Sequence, residues 1–330
     1  MKRERYASLS LAVLVTLSIL AFNSPGLAKE EFPTAPITLL IGFPPGGPVD
    51  PVARILAEIV GKDLGQRVLV ANKEGMSGGI MIDYLRRQKP DGYTIGIMFA
   101  VAVVSNPYIT KVDYSYKDLT YLLGIGRQLH GVSVRKDAPW KTFNELVEYA
   151  KKNPGKVRYA TYSPVSTTSF VMRLIAKERQ LDWIHVPYKG DGPAITSILG
   201  GHVDALATSS GQAPYVTSGQ LRLLTVFNKN RSKEFPDVPT IYELGYKAPY
   251  LSDRTTLHGV VAPRGLTGEP FEKLVAAFKK AARDPAFINV MHQMSQPIEI
   301  MEPDEFEKEV AETYKEFEQI YPPLVKEVQK

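Results

Sequence analysis

With no cysteine in its 330 residues, the chain must draw any chemistry from hydroxyls, carboxylates, amines and five histidines. A hydrolase needs a nucleophile beside a positioned base. None of His130, His185, His202, His258 and His292 lies in an HExxH pair or beside a G-x-S-x-G turn, so neither a metal nor a serine nucleophile has local support. His185 alternates with Ile184 and Val186 in an apolar run and reads as a sheet residue, while His202 follows Gly200-Gly201 and reads as a turn residue. Gly75-Met76-Ser77-Gly78-Gly79 lacks the Lys-Ser/Thr ending of a phosphate loop, and Gly124-Ile125-Gly126 lacks the third glycine of a dinucleotide fingerprint. No cofactor is therefore expected. An enzyme reading survives only as a triad assembled in space from distant residues.

A different constellation remains. Gly46-Gly47 precede Asp50-Pro51, an acidic N-cap followed by proline at the first helical position. Ser166, Thr167, Thr168 and Ser169 open a second helix, and Gly190-Asp191-Gly192 open a third. A helix N-terminus presents unpaired N–H groups and the positive end of its dipole, which suits a carboxylate, and glycine lets backbone approach a ligand closely. Each turn by itself also reads as an ordinary cap, and both readings stay open at this level.

The elements that must position these turns alternate in type. Ile37–Phe43 is a continuous apolar run suited to a strand covered on both faces, and helical spacing follows over Val52–Leu64 until Gly65. Strands are expected at Arg67–Val70, Val157–Tyr162, Trp183–Tyr188 and Val203–Ala207, with helices at Ser166–Lys177 and Ala194–Leu199. Such alternation predicts an α/β fold with parallel sheets, whose ligand sites gather at the carboxyl ends of the strands. Two crossings between lobes are expected, near Leu129–Val134 and near Tyr250–Val261. They divide the chain into one lobe of residues 29–130 and 255–330 and a second of residues 131–254.

Lys2, Arg3 and Arg5, the apolar run Leu9–Phe22, a break at Asn23-Ser24-Pro25 and the small-residue succession Gly26-Leu27-Ala28 predict an export signal over residues 1–28. The net charge of +5 becomes +3 once that segment is removed. Lys and Arg are dispersed among Asp and Glu, without the basic stripe of a nucleic-acid binder, and the mild positive balance suits an anionic ligand.

Several blocks together resemble the solute receptors of tripartite tricarboxylate transporters, the Bug family. These are Phe43-Pro44-Pro45-Gly46-Gly47-Pro48-Val49-Asp50 with Ala53-Arg54, Pro90-Asp91-Gly92-Tyr93-Thr94, His185-Val186-Pro187-Tyr188-Lys189-Gly190, Leu199-Gly200-Gly201-His202-Val203-Asp204 and Pro236-Asp237-Val238-Pro239-Thr240. The resemblance spans nearly the whole chain after residue 28. It implies a monomeric periplasmic receptor of the two-lobed Venus-flytrap type (type II), each lobe a mainly parallel sheet flanked by helices. Such a receptor delivers a small carboxylate, a dicarboxylate or an aromatic acid, to a membrane permease of two subunits. A ligand-sensing receptor for a membrane signalling protein is the alternative on the same fold.

The implied ligand contacts come from three loops. Phe43, Pro44, Gly46, Gly47, Val49 and Asp50 form the first; Tyr162, Ser163, Ser166, Thr167 and Ser169 the second; Tyr188, Lys189, Gly190, Asp191 and Gly192 the third. The chain departs from the family pattern at Val49, Ser169 and Leu257 and across Gly75–Gly79, so the carboxylate anchor is kept while the part that reads the rest of the ligand differs. The exported protein should begin at or close to Lys29 on N-terminal sequencing, and a secreted form that retains Met1 would contradict the export signal.

Overall fold

The computed structural model describes residues 31–164, 166–247 and 251–328; the expected export signal at residues 1–28 lies outside them. The chain first forms β1 (Ile37–Ile41), α1 (Val49–Leu64), β2 (Val68–Asn72), α2 (Gly79–Leu85), β3 (Thr94–Phe99), α3 (Ala100–Val104), α4 (Asn106–Ile109) and β4 (Leu119–Gly126). It then forms β5 (Gly131–Arg135), α5 (Phe143–Lys152), β6 (Arg158–Thr161), α6 (Thr167–Arg179), β7 (Ile184–Pro187), α7 (Asp191–Leu199), β8 (Ala205–Thr208), α8 (Ala213–Thr217) and β9 (Leu221–Val226). After α9 (Leu251–Thr255) come β10 (His258–Pro263), α10 (Gly268–Ala281), α11 (Pro285–Gln293), β11 (Ile298–Met301) and α12 (Pro303–Val328).

These elements build two sheets. The first has the order β11-β4-β10-β3-β1-β2 and the second β7-β6-β8-β5-β9. β1 pairs in parallel with β2 and β3, and β6 pairs in parallel with β7 and β8. β10 and β5 are inserted antiparallel to both of their neighbours, and β11 closes an edge antiparallel to β4. In each sheet four strands therefore share one direction, and the expected mixed α/β architecture with two sheets flanked by helices is observed.

The reason is visible in β1, where Ile37, Leu39, Leu40 and Ile41 are all buried. A run apolar on both faces is stable only between two helical layers. Val52, Leu56 and Val60 of α1 cover one face together with α10 and α11, and Gly65 ends α1 in the left-handed conformation that glycine adopts without penalty (φ 69°). Leu40 of β1 belongs instead to an apolar cluster on the opposite face, which includes Met81, Leu85, Ala102 and Val103.

Three boundaries differ from the sequence expectation. α1 begins at Val49 with Pro48 as its N-cap, so Asp50 is a first-turn residue and not the cap. Its carboxylate instead accepts from the Gly46 N–H (3.3 Å) and from Nε and Nη2 of Arg54 (3.0 Å each). The apolar stretch Gly96–Val104 splits into the end of β3 and all of α3. β11 interrupts the largely helical C-terminal region, pairing with β4 just after Pro297 ends the preceding turn.

The chain passes from the first sheet to the second between Gly126 and Gly131, and returns between Val226 and His258. The two connections are tied to each other. Asn228 donates from Nδ2 to the Gln128 carbonyl (3.3 Å) and accepts from the His130 N–H (3.1 Å), and the Phe227 N–H donates to the His130 carbonyl (2.8 Å). Arg127 donates to Glu299 (2.8 Å), Glu309 (3.0 Å) and the Asp253 carbonyl, while the Gln128 N–H donates to the Thr256 carbonyl (3.2 Å). Among the described residues no helix is long and apolar enough to cross a membrane.

Two histidines at these connections are buried, His130 at 2% exposure and His258 at 1%. Burial alone pushes the His130 pKa down to about 3, and burial is the main cause of the fall at His258 to about 4. An unfolded histidine titrates near 6.5, so below that pH the unfolded chain gains protons that the folded chain refuses. The stability from keeping His130 neutral is thus complete above about pH 6.5 and is lost as pH falls towards 3, at about 1.4 kcal/mol per unit. Asp191, whose pKa burial raises, acts in the opposite sense, so a single variant isolates the histidine. Replacing His130→Phe should remove about 2 kcal/mol of the stability difference between pH 7 and pH 5 in urea unfolding, and an unchanged difference would contradict this.

Candidate ligand-binding site

The carboxyl ends of β1, β2, β6 and β7 face one another across the gap between the sheets. The loop after β1 is pinned where Asn72 Nδ2 donates to the Phe43 carbonyl (2.8 Å). The Phe43 ring packs edge-on against Phe99 (5.2 Å), which stacks on His258 (4.7 Å). Within the loop the Gly46 N–H is held by Asp50, and the Asp50 N–H donates to the Gly47 carbonyl (3.1 Å). Gly42 meets the next loop so closely that a Cβ there would sit 2.5 Å from the Gly78 Cα, so this crossing requires glycine.

Opposite stands the loop after β7. The Tyr188 N–H donates to the Thr161 carbonyl (2.8 Å) and the Gly190 N–H to the Tyr162 carbonyl (2.8 Å), which locks it to the loop after β6. The Tyr188 hydroxyl lies 2.5 Å from Ser197 Oγ on α7. Gly190 has φ 110° and directly faces Pro44 of the first sheet's loop; a Cβ at Gly190 would lie 2.5 Å from the Pro44 Cγ. Ser77 Oγ donates to Ser163 Oγ (3.4 Å) across the same gap.

These loops enclose a cavity of about 330 Å3. Phe43 and Pro44 line it with Gly42 and with Glu74, Gly75, Met76, Ser77 and Ile80 from the first sheet's side. Tyr162, Ser163, Pro164, Tyr188, Lys189 and Gly190 line it from the second. Among these residues Glu74 and Lys189 carry the charges, and both are exposed. The rest of the wall is aromatic and aliphatic, with hydroxyls at Ser77, Ser163, Tyr162 and Tyr188.

Of the residues singled out in the sequence, Phe43, Pro44, Tyr162, Ser163, Tyr188, Lys189 and Gly190 come together around this cavity. Gly46, Gly47, Val49, Asp50, Ser166, Thr167, Ser169, Asp191 and Gly192 stand outside its wall. The hydroxyls expected to point at a ligand are engaged in the protein. Ser166 Oγ caps α6 by accepting from the Ser169 N–H (3.2 Å), Ser169 Oγ donates to the Pro164 carbonyl (2.7 Å), and Thr167 Oγ1 meets Thr255 Oγ1 (2.7 Å). Asp191 is buried, accepting from Thr208 Oγ1, Ser209 Oγ (2.9 Å) and the Ser209 N–H (3.2 Å).

Sequence reasoning missed Gly42, Glu74, Gly75, Met76, Ser77, Ile80 and Pro164 as wall residues. The available signal was the glycine-flanked run from Gly75 to Gly79. Four consecutive residues there have positive φ: Gly75 (125°), Met76 (49°), Ser77 (49°) and Gly78 (94°). For Met and Ser this conformation costs roughly 1–2 kcal/mol each. It is held by Asn106, a fully buried residue on α4, whose Nδ2 donates to the Met76 carbonyl (2.6 Å), and by the Gly78 N–H on the Gly75 carbonyl (3.0 Å).

Comparison with known proteins places this arrangement. The family described as the tripartite tricarboxylate transporter family receptor matches residues 52–324. The UPF0065 protein of the gbd 5′ region of Cupriavidus necator is 35% identical over 317 residues, 96% of this chain and 95% of its own length. Protein BugT of Bordetella pertussis is 30% identical over 259 residues, 77% of this chain and 78% of its own. The solved structure of the periplasmic binding protein BugD superposes with a TM-score of 0.81 at 28% identity, covering 89% of this chain and 98% of that one. With two sheets bridged by paired connections and a cavity between their loops, the chain belongs to the tripartite tricarboxylate transporter receptor family and is a periplasmic solute-binding receptor, not an enzyme.

Proposed function

We propose that this receptor captures a small organic acid between its two lobes and delivers it, as a monomer, to a secondary transporter whose membrane part has two subunits. Residues 29–130 and 255–330 form one lobe and residues 131–254 the other, with the paired connections acting as a hinge. The observation that carries this reading is the cavity at the carboxyl ends of β1, β2, β6 and β7, walled by loops from both sheets. A ligand that touches both walls favours the closed form by its extra contacts there. The carboxylate is received near Ser77 and Ser163, with Lys189 at the rim; Phe43, Pro44, Tyr162, Tyr188 and Gly190 surround the rest.

Gly46, Gly47, Val49 and Asp50 serve the site indirectly. The Asp50 carboxylate ties the Gly46 N–H to Arg54 and so fixes the loop that carries Phe43 and Pro44. Ser166, Thr167 and Ser169 act likewise by building the start of α6, while Asp191 holds the start of α7 against Ser209, with Gly192 beside it in that first turn.

An acid that binds the folded chain should raise its stability by about 2.7 kcal/mol at 100 times its Kd without being consumed. A panel of organic acids screened by thermal shift, with the solution analysed for products, checks this. A panel that leaves the melting temperature unmoved would contradict the carboxylate reading. Closure gives a sharper test. Gly190→Ala places a methyl group against Pro44 and should weaken binding by about tenfold or more, a loss of about 1.4 kcal/mol, whereas Gly47→Ala, where a Cβ meets only the Pro44 carbonyl at 3.5 Å, should change it less than about threefold. Pro44→Ala added to Gly190→Ala should recover much of the loss, because the two residues interact directly. Calorimetric titration of these proteins and of Pro44→Ala alone, with melting curves alongside, decides the matter; additive losses would remove the contact from the mechanism.

A further inference from the structure

We infer that the cavity selects a monocarboxylic acid with an apolar body, aromatic or branched, over a short dicarboxylate, and that Met76 enforces the choice. The inference rests on the reading of this cavity as the carboxylate site and deepens it.

Three observations carry it. First, the serine hydroxyls of the wall are concentrated in one place. Ser77 and Ser163, 3.4 Å apart, join the two walls at one point, and the Tyr188 hydroxyl is turned to Ser197, which leaves its ring to face the cavity. A desolvated carboxylate requires donors, and one such cluster serves one carboxylate. Second, the rest of the wall has the composition that receives an apolar body, with Phe43, Pro44, Pro164, Met76 and Ile80 around it, while its two charged residues, Glu74 and Lys189, are exposed and of opposite sign.

Third, Met76 is held in a backbone conformation that glycine adopts freely and methionine does not. It stands between Gly75 and Gly78 in a run of four positive φ values, and buried Asn106 grips its carbonyl at 2.6 Å. A side chain kept against its conformational preference, in a cavity wall and beside a buried partner that also meets the Tyr114 hydroxyl, points to a role for the side chain itself. A flexible thioether fits closely around an irregular apolar surface and offers nothing to a carboxylate.

The test is calorimetric titration of the mature chain and its Met76→Gly variant with four probes: benzoate, 3-methylbutanoate, succinate and adipate. The wild type should bind benzoate or 3-methylbutanoate at least about tenfold more tightly than either dicarboxylate. Met76→Gly should narrow that ratio to less than about threefold, with a melting temperature equal to or above that of the wild type because the strain is relieved. A wild type that prefers succinate or adipate overturns the inference and leaves the carboxylate site standing. An unchanged ratio in Met76→Gly removes Met76 from selection. Binding of none of the four probes overturns the carboxylate reading itself and the inference with it.

Discussion

The rest of the structure depends on how closely two loops from different sheets approach. Pro44 faces Gly190 with no room for a Cβ between them, and Gly211, beyond β8, lies where a Cβ would be 3.2 Å from Pro48. These are contacts of backbone and proline rings, rigid on both sides, so the cavity wall is completed only when the sheets meet in this register. Glycine at position 190 is required twice, once for its φ of 110° and once for the missing side chain. The cavity is therefore a property of the two sheets together and not of either alone.

That arrangement needs a connection that permits movement along one path and resists others. Two chain segments run between the sheets, and hydrogen bonds from Asn228, Gln128 and His130 fasten them side by side. Arg127 anchors the first segment to Glu299 and Glu309 of the first sheet's half, and Asp253 on the second segment accepts from the Lys229 N–H (2.6 Å). In the proposed hinge, paired and tethered segments allow bending while opposing twist, which keeps Pro44 aimed at Gly190. Burial of His130 and His258 at this junction favours the neutral form of both imidazoles.

The parts of this design written in local chemistry were legible in the sequence. The apolar run into Phe43, the proline and glycine break, and the helical spacing up to Gly65 identified β1, its loop and α1, since punctuating residues act through backbone preference alone. Residues next to those turns, such as Phe43, Tyr188 and Gly190, line the cavity. What could not be read was whatever depends on partners distant in sequence. Ser166, Thr167 and Ser169 have the composition of ligand donors, yet their hydroxyls are engaged by Ser163, Pro164 and Thr255, and nothing local distinguishes the two uses. Asp50 reads as an N-cap from its neighbours and is instead the brace between Gly46 and Arg54. Met76 was hidden because its conformation is imposed by Asn106, thirty residues away.

The central claim is that Ser77 and Ser163, in different halves of the chain, meet when the cavity closes. The absence of native cysteine makes the direct measurement clean, because a Ser77→Cys, Ser163→Cys pair would be the protein's sole thiols. Side-chain oxygens 3.4 Å apart make these two positions neighbours across the gap, and a cysteine pair there reports on that proximity. Mild oxidation of the monomer should form a disulfide between them, read by mass spectrometry and reversed by a reductant. A pair that stays reduced under oxidation would contradict the account.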